Sequence, residues 1–173
     1  MRRVILRLGF AVLLLLVTPL LATAAARTGF GFNAPNITGI ANGGAVSLTG
    51  GGAYQLPDFV HSAGGFSCLA PVNNGPLRGC QTGEGVRWDT AALLSSTTFK
   101  CIGTDSLKTA TTGAHTVVLQ ADFYRAGDGI DESFTAQMIV SDTDLAPDVA
   151  GTQNVWVQGV GCGSATVNFS GPN

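Results

Sequence analysis

Apolar and polar residues alternate along most of this chain. In "TVVLQADFYR", Val117, Leu119, Ala121 and Phe123 fall on one side, and Val118, Gln120, Asp122 and Tyr124 on the other. In "ESFTAQMIVS", Phe134, Ala136, Met138 and Val140 share a side, against Thr135, Gln137 and Ser141, with Ile139 as an apolar exception. A period of two is that of a strand with one face buried. The link between these runs is rich in Gly and Asp, so they read as an antiparallel hairpin. The C-terminal part repeats the pattern. "QNVWVQG" sets Val155 and Val157 against Asn154, Trp156 and Gln158, and "SATVNFS" sets Ala165, Val167 and Phe169 against Thr166, Asn168 and Ser170. The "GVGCG" between them supplies glycines for a turn.

The earlier half is punctuated by glycine. "AVSL" and "AYQL" flank Thr49-Gly50-Gly51-Gly52 and read as a second hairpin with the glycines at its turn. "TTFKCIG" is a further strand. Residues 58–85, rich in Gly, Pro and Asn, read as loop. "RTGFGFNAPN" reads as a flexible lead-in or a docked edge strand. One short helix is expected over "TAALLSS", with Asp89 as its cap. Several short strands with turn signals between them predict a single all-β domain, an antiparallel β-sandwich with a barrel as the alternative. No internal repeat points to a solenoid or a propeller.

Residues 1–26 change the picture of where this domain works. Arg2, Arg3 and Arg7 precede an uncharged apolar stretch that ends in Ala24-Ala25-Ala26. A basic start, an apolar middle and a small-residue end define a secretory signal peptide, leaving residues 27–173 as the secreted domain. The expected location is extracellular or periplasmic. Removing the leader takes three of nine basic residues and none of the eleven acidic ones, so six oppose eleven and the net charge is −5. That balance argues against nucleic acid or an anionic membrane surface as a partner. Cys68, Cys80, Cys101 and Cys162 are an even set in a secreted chain and predict two disulfides. Of the three pairings, Cys68–Cys80 with Cys101–Cys162 is favoured: the first closes a local loop, and the second ties the middle of the chain to its end. No Cys-x-x-Cys is present, and His61 and His115 have no partner at zinc spacing.

Two acidic stretches are candidates for chemistry. "RAGDGIDES" holds Asp128, Asp131 and Glu132, and "SDTDLAPD" holds Asp142, Asp144 and Asp148. Residues 126–134, with Gly127, Gly129 and Asp131 in place, resemble one copy of the calcium-binding nonapeptide of RTX proteins. That resemblance implies calcium as a cofactor and Asp131 as a ligand, with Asp128 and Glu132 beside it. The competing reading is turn chemistry, since Gly127-Asp128-Gly129 suits the tip of a hairpin. Hairpin geometry sends Asp142 and Asp144 to the opposite end from Asp128 and Asp131.

The usual nucleophile, metalloprotease and phosphate-loop motifs are absent from the sequence. The best carboxylate pair is Glu84 with Asp89 in "GEGVRWDT", beside Arg87 and Trp88. His61 lies three residues after Asp58 and is the other acid–base pair. These two pairs define one expectation, a small secreted hydrolase. The other expectation is a non-catalytic binding or structural module for an extracellular glycan, envelope component or protein. Its candidate surface is Trp156 with Asn154, Gln158 and Tyr124, an aromatic and amide set suited to sugar rings. Gln120 is expected on the same face. Asn36-Ile37-Thr38 and Asn168-Phe169-Ser170 match the N-glycosylation pattern.

Overall fold

The computed structural model describes residues 26–125 and 133–171. Among them every regular element is a strand: β1 (Thr28–Gly39), β2 (Ala45–Gln55), β3 (Phe59–Ala70), β4 (Arg87–Leu94), β5 (Ser96–Phe99), β6 (Lys108–Thr111), β7 (Thr116–Tyr124), β8 (Ser133–Ser141), β9 (Val155–Val157), β10 (Gly161–Gly163) and β11 (Thr166–Ser170). The expected all-β antiparallel domain is therefore the observed one. Nine strands form one sheet in the order β10-β9-β8-β7-β4-β3-β2-β1-β11. β1 also pairs with β10, through Thr38 opposite Cys162 and Gly39 opposite Gly161. The two ends of the sheet thus meet, and the wall closes around a shared core, the barrel form of the expectation. β5 and β6 form a separate two-stranded ribbon.

The hairpin of β7 and β8 has the predicted sides. Val117, Leu119, Ala121, Phe123, Ala136, Met138 and Val140 are buried in the main core, with Phe134 packed against it. Val155 and Val157 join them, and Val167 and Phe169 pack at the margin. Both favoured disulfides are present, with Cα atoms 6.2 Å apart for Cys68–Cys80 and 4.7 Å for Cys101–Cys162.

Four sequence expectations give way. The three glycines of residues 50–52 are not a turn; β2 runs straight through them, paired with β1 and β3. Gly50 leaves room for the indole of Trp88. A Cβ on Gly50 would stand 2.6 Å from Cζ2 of Trp88, and the indole N–H donates to the Thr49 carbonyl at 2.9 Å. Residues 58–85 are not all loop either. β3 occupies their first half and buries Ser62, Phe66 and Cys68, an alternation hidden by its small and polar residues. Only the part after Ala70 is irregular, stapled by Cys68–Cys80. The helix capped by Asp89 does not form. A segment that short has little helical stability of its own, and β4 pairs with β7 from Arg87 to Leu94 instead. Finally, the N-terminal segment is no edge. In β1, Phe30 and Phe32 point into the core in alternation with Gly29 and Gly31, and a register shift between Ala34 and Ile37 accommodates Pro35.

Candidate polar face on the outer side of the wall

Strands β4, β7 and β8 present an outer face arranged in rows across the ladder. The first row is apolar: Leu94, Val118, Ile139, Trp156 and Cys162 stand opposite one another in successive strands. It is covered by the β5–β6 ribbon and its flanks. Phe99, Cys101, Ala110 and Ala146 complete this second core, with Leu145 and Val149 at its edge. Trp156 is 5% exposed. Its ring lies 5.9 Å from that of Phe99, and its N–H donates to the Lys100 carbonyl at 2.9 Å. Cys101–Cys162 bonds the cover directly to the wall.

The expected open aromatic surface at Trp156 is therefore filled by the protein itself. Its two amide neighbours are also committed. Asn154 is buried; its side-chain N–H donates to the Ser141 carbonyl at 3.2 Å, and its Oδ1 accepts the Ala165 amide at 3.4 Å. Oε1 of Gln158 accepts the Gln137 amide at 3.1 Å. These contacts finish the edges of β8, β9 and β10, where the ladder itself stops. Of the four predicted ligand contacts, Tyr124 alone stays with the uncovered part of the face.

Beyond the covered row the same strands turn polar. Gln120 stands opposite Gln137, and Oε1 of Gln137 accepts the hydroxyl of Thr97 at the margin of the ribbon. The next row is Asp89, Asp122 and Thr135, where the Thr135 hydroxyl donates to Asp122 at 2.5 Å. The last is Arg87, Tyr124 and Ser133. Arg87 reaches Asp89 at 3.1 Å while its guanidinium carbon lies 4.1 Å over the Tyr124 ring. The Tyr124 hydroxyl donates to the other Asp89 oxygen at 3.4 Å. Desolvation by its neighbours raises the Tyr124 pKa, the negative charges of Asp89 and Asp122 raise it further, and Arg87 acts in the opposite sense. The phenol therefore stays a hydrogen-bond donor throughout the neutral range. Asp122, Thr135 and Gln137 are the members that sequence reasoning did not single out. Their alternation was legible; the register that aligns them with Asp89 was not.

The remaining predicted residues are dispersed. Glu84 accepts the Gln81 amide at 2.8 Å and lies 3.7 Å from Arg125, whereas Asp89 is held by Arg87 and Tyr124, so each carboxylate has its own cationic partner. Trp88 is fully buried. Asp58 and His61 are exposed, the first in the turn after β2 and the second on β3. The second acidic stretch is taken up in structural contacts. Asp142 meets His115 at 2.9 Å, Asp144 accepts the amides of Ala146 and Gln153 at 3.0 Å each, and Asp148 meets Lys108 at 3.0 Å. Asp128, Asp131 and Glu132 lie outside the described residues. Among the described residues, no three His, Cys, Asp or Glu side chains gather as a metal site.

A cavity of about 350 Å³ opens near Thr28, Tyr54, Leu56 and Gly113. The Tyr54 hydroxyl there is already donated to the Gly113 carbonyl. Comparison with protein families, with curated proteins and with solved structures gives no match.

Proposed function

We propose that this chain is a secreted, non-catalytic binding module whose ligand surface is the polar outer face of β4, β7 and β8. The observation that carries this reading is the set of exposed and half-exposed donors and acceptors in register: Gln120 and Gln137, then Asp89, Asp122 and Thr135, then Tyr124 under Arg87. A hydroxyl-rich glycan fits such a set. Amides and carboxylates give directional hydrogen bonds to vicinal hydroxyls, and the Arg87–Tyr124 stack gives a flat edge for the apolar side of a sugar ring. The face sits on paired strands rather than on loops, so little ordering is lost on binding. Two disulfides fit an oxidising compartment, and the leader-like residues 1–26 support export.

The test is co-sedimentation of the oxidised domain with insoluble cellulose, chitin, xylan and peptidoglycan. The expected result is retention on at least one, lost in Tyr124→Ala and weakened in Gln120→Ala, with melting temperatures kept. Retention on none of the four, or retention indifferent to both substitutions, would overturn the assignment.

A further inference from the structure

Among the described residues, β11 is the strand of the closed wall with one edge unpaired along its whole length. β10 lies between β1 and β9, but β9 begins at Val155, opposite Gly163. β11 runs on past that point along β1, from Thr166 opposite Asn33 to Ser170 opposite Gly29. Among the described residues, β11 is paired with β1 alone. A partly unpaired stretch in β8 is capped at Gln137: its amide donates to the Gln158 side chain, and the Gln158 amide to the Gln137 carbonyl. Among the described residues β11 carries no such device. Proteins usually block a bare edge with a charge, a proline or a bulge. The sequence Thr-Val-Asn-Phe-Ser has no charge and no proline, and its register on β1 is regular.

We infer that β11 pairs with β11 of a second copy of this chain, antiparallel and centred on Asn168. The strand is complementary to itself in that register. Val167 meets the second copy's Phe169, Thr166 meets its Ser170, and Asn168 meets its own equivalent across the two-fold axis. Such an isologous contact closes on itself and yields a dimer rather than a fibre. Main-chain hydrogen bonds supply the attraction, as in strand addition to a sheet edge. Val167 and Phe169, only partly buried in the single chain, gain cover from each other. Five residues a side make a small contact, so the dimer is weak and depends on concentration. It joins two polar faces in one particle, which raises avidity for a repetitive ligand without any new contact to it.

Sedimentation velocity over a concentration series of the oxidised domain tests this. The expected result is a reversible rise from the mass of one chain to that of two. Asn168 is exposed, so Asn168→Lys and Asn168→Glu should fold with unchanged melting temperature. Each should be monomeric, because like charges then face each other directly. An equal mixture of the two should restore the dimer. A wild-type monomer at every concentration, a dimer unaffected by Asn168→Lys, or a Lys/Glu mixture that stays monomeric would each overturn the inference.

Discussion

The outer face of β7 and β8 is two surfaces on one pair of strands. At one end Val118 and Ile139 lie under the β5–β6 ribbon, dry and fully buried. At the other, only two residues along each strand and beyond, Gln120, Asp122, Thr135 and Gln137 meet solvent at least in part. Both ends obey the same alternation, and both point away from the main core. The difference comes from a distant segment. Residues 96–111 fold back over one end, and Cys101–Cys162 fixes them there. Alternation therefore says which side chains leave the core. It does not say which of them meet water.

The contrast is open to experiment, and the largest effect should fall in the dry half. Trp156→Ala empties the centre of the second core and should lose about 3–5 kcal/mol of stability in denaturant unfolding. A loss under about 1 kcal/mol would mean that the ribbon rests loosely on the wall. Next are the bridges. Cys101–Cys162 spans 61 residues and Cys68–Cys80 spans 12. On chain entropy, replacing the first pair by serine should cost about 4 kcal/mol and the second about 3 kcal/mol. Equal costs would indicate that the cover gains nothing from its long-range tie. In the wet half, Asp122→Ala should stay within about 0.5 kcal/mol of the parent in the same assay, while retention on the glycan falls. The smallest effect concerns the margin of the cover, where Lys108 lies between Asp105 at 3.4 Å and Asp148 at 3.0 Å. The hydrogen bond from Lys108 lowers the Asp148 pKa. A depressed folded-state value gives stability that is present above the ordinary carboxylate range and is lost as pH falls through the folded value. Melting temperature against pH should therefore drop slightly more steeply below pH ~4 in the parent than in Asp148→Asn.

Much of this was readable in the chain, in particular places. The β7–β8 hairpin and its inward side followed from period two. Trp156 and Ile139 broke the pattern on what looked like polar sides, and their juxtaposition with Val118 in one row is the mark of a second core. Seeing that row requires the register between strands far apart in sequence, which no local pattern carries. The glycine-rich parts were misleading for a physical reason. Gly50, Gly51 and Gly52 have the composition of a turn, but in β2 Gly50 leaves space for a tryptophan from β4, 38 positions on, and Gly51 and Gly52 let the backbones of β1 and β3 come close. β3 was hidden because Ser62 and Gly64 occupy positions where a hydrophobic residue would have advertised the strand. The polar face was half legible: Tyr124 and Gln120 were on it, whereas Asp89 belonged to an expected helix until β4 paired with β7.

The place of β1 bears on how the chain reaches this state during synthesis. It is the earliest of the described strands in chain order, yet one side of it is paired by residues 161–170, the latest of them. Thr38 waits for Cys162 across about 120 residues, a separation that slows folding. A chain arrested anywhere before Gly161 would hold β1 as a bare edge carrying Phe30 and Phe32, open to neighbouring chains. Closure of the wall therefore waits for residues 161–170, and their arrival is what ends the exposure of β1 to aggregation.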